Sequence, residues 1–156
     1  MSIKSKERTE KYAMKLYNNI LKDVEKEVGK NSTYSDDLAK AGRKLLGVHF
    51  RGVFPSDKIP KLNDIKKYAI VNVDSSKEPG SHWMALAKEK DHTYFYDSFG
   101  RYDTKIIPNL KFSHNGKIID TDHDAEQTIS ENNCGARSLA WLVFFNTWGG
   151  KSAKLI

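Results

Sequence analysis

The sequence is poor in the features that mark several common classes of protein. Its 156 residues include one cysteine, Cys134, so neither a disulfide framework nor a zinc site of several cysteines can form within the chain. There is no internal repeat and no long low-complexity tract. No apolar run approaches the ~18 residues of a membrane span, and the polar start from Met1 to Lys11 lacks the apolar core of a signal peptide. We therefore expect a soluble protein of a reducing compartment, neither secreted nor membrane-bound.

The composition is that of one globular domain. Hydrophobic residues make up 38% of the chain and aromatic residues 11%, which excludes a largely disordered protein. The 26 basic and 20 acidic side chains give a net charge of +6. That excess is compatible with a face that binds DNA or RNA weakly, and equally with the ordinary charge of a small soluble domain.

Three segments have helical periodicity. Apolar residues recur at three- and four-residue steps through residues 1–30, which predicts an amphipathic helix that we treat as an N-terminal extension of a domain over residues 31–156. A second helix is predicted from Ser35 to the residue before Gly47. A third, from Cys134 to Asn146, is apolar nearly all round, so we expect it to be buried.

The middle of the chain favours strands. Short apolar or alternating runs at Tyr68–Val73, Trp83–Ala87 and Thr93–Tyr96 predict three strands, the last two forming a hairpin, and Ile118-Ile119 predicts an edge strand. Residues 51–60 hold one glycine and two prolines and are predicted to be a loop. The fold class that follows is α+β, with a small, mixed but mostly antiparallel sheet flanked by helices.

Cys134 is the first candidate for chemistry. Asn132 and Asn133 precede it, and asparagine favours the N-cap position, so Cys134 is predicted to lie in the first turn of the buried helix. The positive end of a helix favours a thiolate, which makes a cysteine there reactive near neutral pH. The alternative is that a lone cysteine is a small buried hydrophobe.

Three other side chains are compatible with a catalytic role. His82 comes at the mouth of a predicted strand, which is a rigid platform for a general base. Asp97 ends the neighbouring strand, where it either orients His82 or forms a turn. Gln127, seven residues before Cys134, either donates to an oxyanion or is a solvated loop residue.

The order and spacing of these residues resemble those of a known family. The order is His82, Asp97, Gln127, Cys134, and the surrounding motifs are Gly80-Ser-His-Trp83, Tyr96-Asp-Ser-Phe-Gly100 and Asn133-Cys-Gly135. Together they resemble the adenovirus maturation protease (adenain) family, in the same clan as the SUMO-type ubiquitin-like-protein proteases. The resemblance covers roughly residues 35–148, and residues 1–30 have no counterpart in it.

The resemblance implies a papain-like cysteine protease fold with the nucleophile at the start of a buried helix. By it, Cys134 is the nucleophile, His82 the general base, and Asp97 the residue that orients His82. Gln127 would form the oxyanion hole with the Cys134 amide. Trp83 and Gly135 would contact the substrate, and neither a metal nor a cofactor is expected.

The resemblance also implies a biological setting. The expected substrates are viral capsid or core precursor polypeptides, cut at glycine-containing sites during virion maturation by a monomeric enzyme. The expected location is the virion and the cytoplasm or nucleus of the infected cell. Stimulation by DNA or by a viral peptide is expected to be non-covalent, because the chain has no second cysteine to tether an activator. The absence of a second cysteine, unlike the adenovirus enzyme, favours an enzyme of another DNA virus or virus-like element over adenovirus itself.

Other interpretations stay open on the sequence alone. The chain is alternatively an isopeptidase acting on host SUMO or ubiquitin conjugates, a catalytically inactive module that grips a glycine-rich tail, or a nucleic-acid binder. A calcium loop is a further possibility, since Asp120, Asp122, Asp124 and Glu131 have the spacing of positions 1, 3, 5 and 12 of an EF-hand. Ala125 stands where that motif needs glycine, and the alternative is an acidic loop before the buried helix. Gly149-Gly150 is either a helix stop or a site of self-trimming.

Overall fold

The computed structural model describes residues 3–28, 35–73, 82–101, 117–121, 125 and 133–156. The helices are α1 (Ile3–Val28), α2 (Ser35–Leu46), α3 (Cys134–Trp148) and the short α4 (Gly150–Ala153), with a 3-10 turn at Gly47–His49. The strands are β1 (Phe50–Phe54), β2 (Tyr68–Asn72), β3 (Trp83–Glu89), β4 (His92–Tyr96) and β5 (Lys117–Asp120). The predicted α+β class is confirmed.

The strands form one mixed sheet in the order β1-β2-β3-β4-β5. The central strand β3 is antiparallel to both β2 and β4, while β1 pairs with β2 and β5 with β4 in parallel. The predicted hairpin is confirmed: β3 and β4 are joined at Lys90 and Asp91, and Lys90 takes the positive φ of 56° that closes a tight turn. The predicted edge strand at Ile118-Ile119 is β5.

The prediction of a loop over residues 51–60 was wrong for its first part. Phe50–Phe54 forms β1, parallel to β2, with an irregular register between Phe50 and Gly52. Gly52 has a φ of 138°, which a glycine adopts without strain, and the irregularity lies in the outermost strand of the described sheet. Gly52 contributed to the prediction of a loop, but in the structure it allows a bulge within a strand.

The two faces of the sheet carry separate hydrophobic clusters. Along β3, Trp83, Ala85 and Ala87 face the helices, while Met84 and Leu86 face the opposite side, as the two-residue repeat of a strand requires. The second face is covered in part by Ile59 and Leu62 from the segment between β1 and β2. The sheet is therefore buried on both sides at its centre.

Helix α3 is buried, as predicted, because it lies between the sheet and the other helices. Every residue from Cys134 to Leu142 is buried. Helix α1 packs along α3 and shares its hydrophobic cluster, to which it contributes Tyr17 and Leu21. The Tyr17 hydroxyl lies 2.8 Å from that of Tyr96 at the end of β4. The division of the chain at residue 30 stays a prediction.

Candidate active site

The hairpin register explains why His82 and Asp97 meet. His82 directly precedes β3 and Asp97 directly follows β4, so both lie at the same end of the antiparallel pair. When the register is continued beyond the last paired residues, His82 stands opposite Phe99. The two rings stack there, with centroids 4.7 Å apart and planes 26° apart.

His82 and Asp97 form a short buried hydrogen bond. The distance from His82 Nε2 to Asp97 Oδ1 is 2.6 Å, and His82 is 6% exposed and Asp97 1%. Burial by itself lowers the pKa of an imidazole, but the hydrogen bonds to Asp97 and Cys134 more than offset it, so the pKa of His82 is raised. Burial likewise raises the pKa of Asp97, and the hydrogen bonds from His82 and Arg101 reverse this, leaving that pKa lowered. The pair therefore favours imidazolium beside carboxylate.

Cys134 is the first residue of α3, and the backbone of Trp83 holds it against the hairpin. The Trp83 N–H donates to Cys134 Sγ at 3.4 Å. One turn further along α3, the Ser138 hydroxyl donates to the Trp83 carbonyl at 3.0 Å. These two bonds connect the start of β3 to the first turns of α3, and thereby bring His82 to the thiol.

The surroundings of Cys134 favour its thiolate. Burial is the largest single influence and raises the pKa of the thiol. Hydrogen bonds from His82, from the Trp83 N–H and from the Gly135 N–H, together with the charge of the imidazolium, more than offset it, so the pKa of Cys134 is lowered. Because His82 Nε2 is hydrogen-bonded to Asp97, the hydrogen bond from His82 to the sulfur is left to Nδ1. The arrangement is that of an activated thiol nucleophile.

The start of α3 differs from the expectation of an asparagine side-chain cap. Asn133 occupies the N-cap position, but its side chain makes no capping hydrogen bond. Its Oδ1 instead accepts from Arg137 Nε at 3.1 Å. A buried guanidinium is a stronger donor than a backbone amide, because its hydrogen bond is charge-assisted.

Trp83 and Gly135 lie in contact next to the thiol. A Cβ built on Gly135 would stand 3.2 Å from Trp83 Cδ1 and 3.0 Å from Leu38 Cδ1 of α2. Glycine at this position therefore lets α2 and β3 close over the start of α3. The roles of Trp83 and Gly135 toward substrate stay predictions.

Gln127 lies outside the described residues, as do Asp122, Asp124 and Glu131 of the candidate calcium loop. Asp120, at the end of β5, is described. Among the described residues, no group of three or more histidine, cysteine or acidic side chains is arranged to hold a metal ion.

Sequence reasoning missed two arginines at the site. Arg101 donates to the second oxygen of Asp97, and Arg137 joins Asn133 to the Tyr17 hydroxyl. Arg137 did carry a signal, since it is a charged residue within an otherwise apolar helix. Nothing local in the sequence connects Arg101 to Asp97, because the contact depends on how the intervening turn folds.

The Gly149-Gly150 pair lies at the opposite end of α3 from Cys134. Gly149 ends the helix with a φ of 84°, as expected of a glycine helix stop. Gly150 is buried in α4, and its N–H donates to Glu89 Oε2 at 3.1 Å. The 15 residues of α3 separate this pair from Cys134 by about 22 Å. Self-trimming within one folded molecule would therefore require the end of α3 to unfold.

Comparison with known proteins places most of this architecture in one family. The family model described as adenovirus endoprotease matches residues 50–154, which is 105 of the 156 residues. The match contains the hairpin, the start of α3 and Gln127, while α1 and α2 precede it. No curated protein matches the chain. No helix among the described residues is long and apolar enough to cross a membrane.

Proposed function

This chain belongs to the adenovirus endoprotease family and is a cysteine endopeptidase, and we propose that it cleaves peptides with Cys134, His82 and Asp97 as its catalytic triad. The observation that carries the assignment is the 2.6 Å contact between His82 and Asp97 at the site where Cys134 begins a buried helix. The directions of the three pKa shifts agree with it, because each favours the ionised form.

In the proposed reaction, the Cys134 thiolate attacks the carbonyl carbon of the scissile amide. The amide oxygen becomes an oxyanion, and the C–N bond then breaks as the His82 imidazolium gives its proton to the leaving amine nitrogen. The product is a thioester on Cys134. Water then attacks the thioester carbon while neutral His82 takes a proton from it. The C–S bond breaks, which releases the carboxylic acid and restores the Cys134 thiolate beside the His82 imidazolium. Asp97 holds the imidazole in one orientation through both halves.

We assign the oxyanion hole to the Cys134 backbone N–H and the Gln127 side chain. The first N–H groups of a helix have no partner within the helix, and the Asn133 side chain does not cap them. A positive helix end also favours the negative oxygen. The assignment of Gln127 rests on the family resemblance and its position before Cys134.

The proposed substrates are viral capsid or core precursors, cleaved at glycine-containing sites in the virion and the infected cell. Membership of a family described as adenovirus endoprotease supports this choice. We also propose that DNA stimulates the enzyme by binding the exposed face of α1. Five exposed basic residues follow one another there at helical spacing: Lys4, Arg8, Lys11, Lys15 and Lys22.

Labelling with a glycine-glycine peptide electrophile, measured by intact mass, tests the triad. Wild type is expected to gain one adduct, Cys134→Ala none, and His82→Ala to react about 10²- to 10⁴-fold more slowly. His92→Ala is the matched control, because His92 begins β4 at the far end of the same hairpin. Equal rates for His82→Ala and His92→Ala would overturn the proposed role of His82.

A panel of peptides tests the substrate class. Viral precursor peptides with glycine before the cut are expected to be cleaved faster than SUMO or ubiquitin conjugates. Preference for the conjugates would instead identify an isopeptidase. Binding of a glycine-rich tail without cleavage or labelling would identify an inactive module.

A further inference from the structure

The carboxylate of Asp97 is held by three donors on its two oxygens. His82 Nε2 lies 2.6 Å and the Phe99 N–H 3.1 Å from Oδ1, while Arg101 Nε donates to Oδ2 at 2.6 Å. The Asp97 side chain is fully buried, whereas that of Arg101 is 40% exposed. A buried carboxylate needs this kind of compensation to remain charged. Arg101 supplies it at Oδ2, the oxygen to which neither His82 nor Phe99 is bonded.

The turn after β4 creates this contact. The Gly100 N–H donates to the Asp97 carbonyl at 2.8 Å, and Gly100 has a φ of 71°. A positive φ is accessible to glycine without strain and reverses the chain here. Arg101 therefore returns to the carboxylate of a residue four positions earlier.

Arg101 reaches His82 by a second route as well. Its guanidinium carbon lies 5.2 Å from the centroid of the Phe99 ring, and the Phe99 ring stacks on His82. Arg101 thus contacts both groups that restrain the imidazole: the carboxylate at its edge and the aromatic ring on its face.

We propose that Arg101 is a positioning residue for the peptidase reaction, acting on His82 through Asp97 and Phe99. This inference rests on the proposed catalytic role of His82. An imidazole free to rotate loses its alignment with the sulfur and with the leaving nitrogen, and small misplacements of a reacting group reduce the rate by up to ~10²-fold. Arg101 itself is not required to touch the substrate.

Three variants separate the contributions of Arg101. Arg101→Gln removes its charge, and Arg101→Lys keeps the charge but loses the planar group that lies over Phe99. Arg51→Gln is the matched control, because Arg51 also lies over an aromatic ring, that of Phe54, 5.6 Å from its centroid and on β1.

The test measures kcat and KM on a glycine-containing peptide, and the ionisation of Asp97 by carbon NMR of labelled aspartate. In Arg101→Gln we expect kcat to fall by about 10- to 100-fold with KM unchanged. The pKa of Asp97 should rise, because the cation that stabilises its charge is gone. Arg101→Lys should keep most of the lowering of the Asp97 pKa and should have a kcat between those of Arg101→Gln and wild type. Arg51→Gln should match wild type in both measurements.

Two results would overturn the proposal. One is an Arg101→Gln variant with wild-type kcat and wild-type Asp97 titration. The other is a rise in KM with kcat intact, which would make Arg101 a substrate-binding group. If wild type cleaves no peptide, the proposed function fails, and the Asp97 titration still decides whether Arg101 holds this carboxylate. Urea unfolding of each variant confirms that the folded protein is compared.

Discussion

At the residue scale, the thiol of Cys134 is subject to opposing effects. It is 8% exposed, and burial by itself favours the neutral thiol. Donors from three directions reverse that preference: His82, the Trp83 N–H and the Gly135 N–H. Of these, His82 is the only side chain, so it is the contribution that a substitution can remove without changing the backbone.

We predict that the pH dependence of Cys134 alkylation reports this balance. In wild type the pKa of Cys134 is lowered and that of His82 is raised, and both shifts favour the thiolate beside the imidazolium. Alkylation by iodoacetamide should therefore begin at a pH below the ordinary cysteine pKa of ~8.5. In His82→Ala the midpoint pH of alkylation should rise. Burial, which raises the pKa of the thiol, is then offset by fewer hydrogen bonds.

The two pKa shifts also set the direction of both limbs of the pH profile of activity. Activity should fall at low pH as the Cys134 thiolate is protonated, and at high pH as the His82 imidazolium loses its proton. The alkaline limb should have its midpoint at a pH above the ordinary histidine pKa of ~6.5, because the pKa of His82 is raised. His92→Ala should reproduce both wild-type curves. A midpoint of Cys134 alkylation unchanged by His82→Ala would contradict the prediction.

At the scale of elements, α1 is bound to the helix that carries the nucleophile. Tyr17 is fully buried in α1, and its hydroxyl lies 2.8 Å from the Tyr96 hydroxyl and 3.4 Å from Arg137 Nη1. Arg137 in turn donates to Asn133, the residue before Cys134. A helix that precedes the family match therefore contacts, through its side chains, the first turn of α3.

We predict that Tyr17→Phe destabilises the protein by about 1–2 kcal/mol, because it leaves buried polar partners without one hydrogen bond while keeping the ring. Tyr12→Phe makes the same chemical change on the same helix at a position that is 65% exposed, and should change the free energy of unfolding little. Urea unfolding of both variants measures the difference. Equal free energies of unfolding would show that the Tyr17 hydroxyl contributes nothing to stability.

At the scale of the whole molecule, basic residues line one face of α1. Because these residues lie outside the catalytic hairpin, their charge can be changed without altering the triad. We predict that replacing Arg8, Lys11 and Lys15 together by Gln weakens DNA binding and reduces its dependence on salt. Three neutralised charges should lower the slope of log K against log salt by roughly 3 for duplex DNA.

The control removes the same charge elsewhere. Lys58, Lys61 and Lys90 are exposed and lie on the segment after β1 and on the hairpin turn, not on α1. Replacing these three by Gln should leave most of the DNA affinity and most of any DNA stimulation of peptide cleavage. Equal losses in the two triple variants would mean that net charge, and not the α1 face, attracts DNA.

Much of the fold followed from local patterns. The spacing of apolar residues predicted α1, α2 and α3, and helix α2 begins at Ser35 and ends at Leu46 as predicted. The hairpin followed from two apolar runs separated by a polar turn. Such features depend on near neighbours in the chain, so their signals are local. The residue types of the candidate triad, in their order, also needed no structure.

Contacts that no local sequence pattern specifies were decided by the tertiary structure alone. Gly52 lies in a bulge of β1 and not in a loop, because β1 pairs with β2. The Asn133 side chain accepts a hydrogen bond from Arg137 instead of capping α3. The Tyr17 hydroxyl meets that of Tyr96 across 79 positions of sequence. Arg101 meets Asp97 because Gly100 reverses the chain beside a buried carboxylate. In each case a buried polar group or an unpaired strand finds its partner only after the core has packed, and the local pattern does not specify that partner.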